Sequence, residues 1–276
     1  MTIIDRYAVF GSPISHSKSP RIHTLFAEQT HQALEYTAQE VNAETFIAAV
    51  TEFFAQGGKG LNCTVPLKEL AYQFATEKTE RAKAAKAVNT LKLQSDGSIL
   101  GDNTDGIGLV NDLTINHGIE LKNKRVLILG AGGATRGIIT LLLEQKPDCL
   151  IVANRTTEKA LQLAIEFNHS FEGCGLDTLH DKAFDLIINA TSASLSDELP
   201  PLPENLLAEK GVCYDLAYSN TPTAFVRWGQ EAQGASKSLD GLGMLVEQAA
   251  EAFLLWRGVR PDTKTVIALL NAERQG

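Results

Sequence analysis

The chain has 276 residues, 44% of them hydrophobic and 21% charged, a profile that excludes disordered, collagen-like and disulfide-stapled classes. With 25 Lys and Arg against 33 Asp and Glu, its net charge of −8 and lack of basic runs argue against nucleic acid or an anionic membrane as partner. No run approaches the roughly 18 apolar residues of a membrane span, and MTIIDRYAVFGSP has no basic n-region ahead of an apolar core, so a cytoplasmic protein is expected.

Single cores stop growing at roughly 250–300 residues, so two lobes are expected. The first 105 residues alternate between strand and helix patterns. RYAVFG (6–11) reads as a strand, and SPRIHTLFAEQT (19–30) as a helix with Ser19 as N-cap and Pro20 at its first position. LEYTAQEV (34–41) alternates like a strand. Residues 42–58 place Phe46, Ala49, Val50, Phe53 and Phe54 on one helical stripe, with Asn42 as cap and glycine as stop. KGLNCTV (59–65) and AVNTLKL (87–93) are further strands, and DGSILGDNTDG (96–106) a hairpin return.

From residue 122 the pattern changes. Val126 to Leu129 has the continuous apolarity of a strand buried on both faces, followed by a glycine-rich turn and a helix ended by Pro147. Strands recur at 149–155, 184–192 and 211–218, with a helix at 156–167 that puts Ala160, Leu163, Ala164 and Phe167 at helical spacing. Strand and helix in such alternation predict a parallel, doubly wound sheet, with a ligand crevice at the carboxyl ends of its strands. DGLGMLVEQAAEAFLLWRG (240–258) is a helix apolar almost all round, and so buried. Cys63, Cys149, Cys174 and Cys213 show no metal-ligand spacing, so small buried thiols are expected and no metal.

Gly130-Ala131-Gly132-Gly133-Ala134-Thr135 follows a strand and opens a helix, the context of a dinucleotide-binding turn. Gly130 permits the tight turn, Gly132 lets the backbone approach a pyrophosphate, and free amides at the helix start meet the anion. Thr135 stands where the third glycine of the pattern belongs, so a βα turn without nucleotide is the competing reading. At the end of the next strand stand Asn154, Arg155 and Thr156, with Lys159 one turn on, in place of the carboxylate that would hold a ribose 2′-hydroxyl. Arg155 is suited to charge-assisted bonds with a 2′-phosphate, which selects NADP.

The N-terminal lobe concentrates short polar side chains at strand ends: Ser15, His16, Ser17 and Lys18; Asn62, Thr64 and Lys68; Asn89 and Thr90; Asn103, Thr104 and Asp105. Such residues are routine in loops, but together they suit a small polyhydroxylated ligand.

GSPISHSKSP, GLNCTVPLK, AVNTL, GDNTDG, GAGGATRG, NRTTEKA, NATS and DGLGMLVEQAA occur in the order and spacing of the shikimate dehydrogenase family, which the chain resembles over nearly its whole length. The resemblance implies an α/β protein of two lobes: an N-terminal substrate-binding and catalytic domain over 1–105, and a Rossmann-like, doubly wound NADP domain over 106–240. It also implies that the C-terminal helices of 241–276 return to the substrate lobe. The implied reaction is the reversible NADPH-dependent reduction of 3-dehydroshikimate to shikimate, a step toward chorismate and the aromatic amino acids. By matching motif, Lys68 and Asp105 form the catalytic pair. Ser15 and Ser17 hold the substrate carboxylate, Tyr218 reaches its side, and Asn62, Thr64, Asn89, Asp105 and Gln248 bind ring hydroxyls. Gly130, Ala131, Gly132, Gly133 and Ala134 cradle the pyrophosphate, while Asn154, Arg155, Thr156 and Lys159 meet the 2′-phosphate. Thr191, Leu216, Gly241 and Met244 lie along the nicotinamide side, and Glu80 is linked to NADP by the resemblance alone.

Two departures from the family pattern are Ser219-Asn220-Thr221 after the strand-end tyrosine and Ser194-Leu195 where a glycine is common. Three alternatives stay open: a quinate/shikimate enzyme of relaxed substrate or cofactor use, a non-catalytic sensor of ligand or NADPH, and a related dehydrogenase acting on folate. Arg155 speaks against NAD use, Lys68 and Asp105 against the sensor, and SHSKSP and GDNTDG against folate. A monomer and a homodimer fit the sequence equally.

Overall fold

The computed structural model of the chain describes residues 4–180, 182–231 and 233–275. It divides into two compact units: the chain through Gly108 together with Leu245–Leu270, and Leu109–Met244 with the last turn and a half of the final helix. Among the described residues no helix is long and apolar enough to cross a membrane.

The first unit is built on a six-stranded mixed sheet of order β2-β1-β3-β5-β6-β4. Strands β1 (Asp5–Gly11), β2 (Leu34–Glu40) and β3 (Gly58–Cys63) run parallel, joined by helices α1 (Ser19–Thr30) and α2 (Phe46–Ala55). The two-residue β4 (Glu77–Lys78) lies between short helices α3 (Lys68–Phe74) and α4 (Glu80–Ala85). The hairpin of β5 (Thr90–Leu93) and β6 (Ile99–Asp102) returns antiparallel, so that Thr90 faces Asp102. On one sheet face, Phe10, Phe46, Val50, Phe53, Leu61 and Leu91 form a core.

Two capping expectations shift. Lys18, without a side-chain bond, precedes α1, and the Ser19 amide donates to Ser17 Oγ at 3.3 Å. Asn42 Oδ1 accepts from the Thr45 amide at 3.0 Å, so it closes the turn leading into α2 rather than the helix itself.

Helix α5 (Asp105–Asn111) leads out of this unit, and α9 (Leu242–Arg257) leads back into it. No residue of α9 is exposed. Trp256 stacks on Tyr7 at 4.7 Å and donates from Nε1 to the Leu91 carbonyl at 3.0 Å. A Cβ on Gly60 would lie 2.4 Å from that indole nitrogen, which is why β3 carries glycine there. The final helix, α10 (Thr263–Gln275), closes the chain.

The second unit has a six-stranded, wholly parallel sheet of order β9-β8-β7-β10-β11-β12. Its strands are β7 (Arg125–Leu129), β8 (Cys149–Asn154), β9 (Glu172–Gly175), β10 (Phe184–Asn189), β11 (Leu207–Asp215) and β12 (Lys237–Leu239). Side chains alternate across β7, so Val126 and Ile128 pack with Ile138, Leu142 and Leu163 of helices α6 (Gly133–Glu144) and α7 (Thr157–Glu166). Leu127 and Leu129 face the other way, toward Phe225 of α8 (Ala224–Glu231). Strand order reverses between β7 and β10, the switch point where open α/β sheets bind ligands.

Candidate active site

In the first unit the ends of β3, β5 and β6 bring together side chains that lie far apart in sequence. Lys68, at the start of α3, donates from Nζ to Asp105 Oδ2 at 2.5 Å. The Asn89 amide nitrogen lies 2.8 Å from Asp105 Oδ1, 2.9 Å from Thr104 Oγ1 and 3.2 Å from Gln248 Oε1. Asn62 bonds in turn to the Asn89 carbonyl at 3.1 Å. Asp105 is buried, while Lys68 keeps 18% of its side-chain surface exposed. Thr64 is half-buried beside β1, where a Cβ on Gly11 would meet its methyl at 2.3 Å.

The serine loop divides. Ser15 is exposed, Ser17 half-buried, and Ser19 buried and hydrogen-bonded to the Tyr36 hydroxyl. Motif matching put Ser15 with Ser17; burial and hydrogen bonding put Ser19 with Ser17.

Sequence reasoning also missed what braces the GDNTDG loop. Arg81 clamps Asp102 with two bonds, Nε to Oδ1 at 2.7 Å and Nη2 to Oδ2 at 2.5 Å, and Thr79 Oγ1 adds a third at 2.6 Å. Burial would push the Asp102 carboxyl up, but Arg81, Thr79 and the Asn103 amide hold it below the usual carboxylate range. Nothing in local sequence pairs residue 81 with residue 102.

In the second unit the carboxyl ends of β7, β8, β10 and β11 converge. Gly130 has φ +100°, a left-handed conformation that favours glycine, and a Cβ there would crowd Ala190 O and Thr191 Cγ2 at 3.1 Å. Gly132 precedes α6 with no side-chain cap, and Cβ atoms on Gly132 or Gly133 would meet nothing within 4 Å. Uncapped amides and open space in front of them are what a pyrophosphate needs. Thr135, in place of the third glycine, is buried and donates back to the Gly130 carbonyl at 2.7 Å, bracing the turn. Asn154 Oδ1 accepts from the Ala131 amide at 3.2 Å, tying the β8 end to this turn, and its Nδ2 donates to the Thr156 carbonyl at 2.9 Å. Arg155, Thr156 and Lys159 are exposed just beyond. Two cationic side chains and a hydroxyl beside the turn fit the 2′-phosphate of NADP.

On the other side of the switch point, Thr191 donates to Asn189 Oδ1 at 2.7 Å, and a Cβ on Gly241 would lie 2.2 Å from the Leu216 carbonyl. Met244 is half-buried against the core, and Tyr218 is half-buried three residues past β11. Asp215, fully buried, accepts from Ser194 Oγ at 2.6 Å, Thr223 Oγ1 at 2.6 Å, the Ala217 amide at 3.1 Å and Asn189 Nδ2 at 3.2 Å. Burial raises its carboxyl above the ordinary value, against the pull of these donors. In the first unit, Glu80 is exposed on α4 and paired with Lys83 at 2.7 Å. Among the described residues no group of His, Cys, Asp or Glu is arranged to hold a metal ion.

Comparison with known proteins matches residues 9–91 to the shikimate dehydrogenase substrate binding domain. Residues 113–196 match shikimate / quinate 5-dehydrogenase, and residues 241–270 the shikimate 5'-dehydrogenase C-terminal domain. Shikimate dehydrogenase (NADP(+)) of Methylococcus capsulatus is 62% identical over 277 residues, covering 100% of this chain and 99% of that protein. The enzyme of the same name from Nitrosococcus oceani is 54% identical over 98% of this chain and 96% of its own length. Among solved structures, an Ael1 enzyme from Pseudomonas putida superposes with a TM-score of 0.91 at 49% identity, covering 96% of this chain and 98% of that one. Shikimate 5-dehydrogenase from Thermus thermophilus, in complex with NADP(H) and shikimate, gives a TM-score of 0.86 at 33% identity over 98% of this chain and 100% of that one. With both units matched end to end, the chain belongs to the shikimate dehydrogenase family.

Proposed function

We infer that this chain is an NADP-dependent shikimate dehydrogenase, reversibly reducing 3-dehydroshikimate to shikimate on the route to chorismate and the aromatic amino acids. The observation that carries the reading is the Lys68–Asp105 pair at 2.5 Å, held by Asn89 among short polar side chains suited to ring hydroxyls. NADP, when bound by the second unit, supplies or accepts the hydride. Gly130 to Ala134 take its pyrophosphate, Asn154 to Lys159 its 2′-phosphate, and Thr191, Leu216, Gly241 and Met244 its nicotinamide side. Glu80 is carried as a cofactor residue by family likeness alone.

Reduction of the ketone builds negative charge on its oxygen. The Lys68 ammonium beside that oxygen stabilises the charge and delivers the proton; in oxidation the neutral amine takes it back. Asp105 aims Lys68 and the reacting hydroxyl. Asn62, Thr64, Asn89 and Gln248 bind the ring hydroxyls, and Ser17 with its neighbours Ser15 and Ser19 takes the carboxylate, with Tyr218 on its side. Of these neighbours Ser19, buried beside Tyr36, is the better placed to present an ordered hydroxyl. The four free cysteines suit a reducing compartment, and we place the protein in the cytoplasm, as a monomer or homodimer.

The test is absorbance at the reduced-nicotinamide band, with shikimate or quinate crossed against NADP or NAD. Strong turnover confined to shikimate with NADP is expected. Comparable rates with quinate or NAD would move the chain to the broader quinate/shikimate group. Binding of NADPH without turnover of any pair would make it a sensor.

A further inference from the structure

We propose that Tyr36 and Thr90 are positioning residues for the reaction, the outer links of a one-way hydrogen-bond relay that fixes Asn62 and Asn89 and aims Asn89 at the Asp105 carboxylate. The inference deepens the reading of this site given above and rests on it.

Two backbone groups force the direction of the whole chain of bonds. The Asn89 carbonyl only accepts, so the Asn62 atom 3.1 Å from it is Nδ2. Asn62 Oδ1 therefore faces Tyr36, whose hydroxyl donates to it at 2.6 Å. The Thr104 amide only donates, so the Asn89 atom 2.9 Å from it is Oδ1. Thr90 Oγ1 lies 2.8 Å from that same oxygen and must donate to it, while itself accepting from Asn62 Nδ2 at 3.0 Å. Asn89 is then left with Nδ2 toward Asp105 Oδ1 at 2.8 Å. Every proton points one way, from Tyr36 through Asn62, Thr90 and Asn89 to Asp105, and Lys68 meets the opposite carboxylate oxygen.

All four relay members are buried, Thr90 completely, so each bond polarises the next. Turning either amide over would set donor against donor or acceptor against acceptor. The backbone groups set which way each amide faces, and the two hydroxyls tighten that arrangement toward the carboxylate. Packing of the Tyr36 ring is independent of its hydroxyl: it stacks on His23 at 4.1 Å and 9°. Burial holds that imidazole down to about 3, so the plate is neutral. Tyr36→Phe and Thr90→Val accordingly remove links and keep shape, the first also releasing the Ser19 hydroxyl.

Both variants are assayed for shikimate oxidation with NADP. In each, kcat is expected to fall about tenfold, with KM for NADP held within about twofold, because one buried hydrogen bond between neutral groups that steadies Asn89 against the carboxylate is lost. Thr90→Ser should restore most of kcat. The Tyr36→Phe/Thr90→Val double variant should be no slower than the slower single, since both cut one chain. Single variants within about twofold of the parent kcat, or multiplicative losses in the double, overturn the relay. If the parent protein fails to oxidise shikimate, the functional reading falls and side-chain amide NMR still decides the relay. Tyr36→Phe should then shift the amide resonances of both Asn62 and Asn89; a shift at Asn62 that leaves Asn89 unmoved overturns it.

Discussion

Replacing Arg81 by Met should destabilise the first unit by about 3 kcal/mol at neutral pH. Asp102 is 1% exposed and takes two charge-assisted bonds from Arg81. Removing one partner of a buried ion pair costs roughly 3–5 kcal/mol, because the other charge stays buried. Thr79 Oγ1 at 2.6 Å and the Asn103 amide at 2.8 Å still bond to the carboxylate, and a quarter of Arg81 is already open to solvent, which selects the lower end. The folded-state pKa of Asp102 lies below its unfolded value, so the contribution is present above the unfolded value of about 3.9 and is lost as pH falls through the folded one. The assay is urea unfolding followed by fluorescence of Trp256, buried in this unit, in a Trp228→Phe background, over a series of pH values. A loss under about 1 kcal/mol at pH 7, or a gap that persists undiminished in acid, would refute the clamp.

Three further outcomes follow from the site geometry. Lys68→Met should lower kcat by roughly 10²–10⁴-fold with a smaller change in KM, measured by steady-state turnover of shikimate; a near-normal kcat would sink its role as proton donor. Arg155→Ala should cost about tenfold in preference for NADP over NAD, the lower end for a charged bond at an exposed side chain, and an unchanged preference would move the phosphate clamp elsewhere. Ser194→Gly removes the 2.6 Å donor to Asp215 and should raise KM for NADP about threefold, by loosening the segment after β10; unchanged KM and melting temperature would make that hydroxyl dispensable.

The parallel unit was the more legible because its central strands are buried on both faces. β7, β8 and β10 are nearly unbroken apolar runs, and Gly130 to Thr135 punctuate them. The edge strands β9 and β12, of 4 and 3 residues, carry no such run, and their pairing comes from the neighbouring strand rather than from their own pattern. The short helices α3 and α4 were missed for a like reason: each is too short to be stable alone and is fixed by packing. That Lys68, Asp105, Asn62 and Asn89 gather in one place was legible from family motifs. Their mutual orientation was not. Tyr36 and Asn62 sit on strands that flank β1, with Tyr36 beside Tyr7 and Asn62 beside Val9, a neighbourhood that exists only once the strand order is known. Ser19 reads as a cap because a serine before proline at a helix start is locally a good one, and only the fold shows it buried beside Tyr36 instead.

Two buried carboxylates, one in each unit, show how neighbours decide what a strand-end aspartate does. Asp102 and Asp215 both end a strand, both take several hydrogen bonds, and each anchors a loop that bears proposed site residues. Asp102 has a guanidinium against it and is held below the ordinary carboxylate value; Asp215 has only neutral donors and is raised above it. The linkage signs are therefore opposite. As pH falls, the first unit loses the stability that the charged Asp102 supplied. The second sheds the penalty of a buried charge as Asp215 takes up its proton. Arg81 thus converts one buried carboxylate from a cost into a brace at the loop that carries Asp105. The loops after β10 and β11 tolerate the costlier arrangement because four neutral donors, among them the Ser194 hydroxyl, share the one charge.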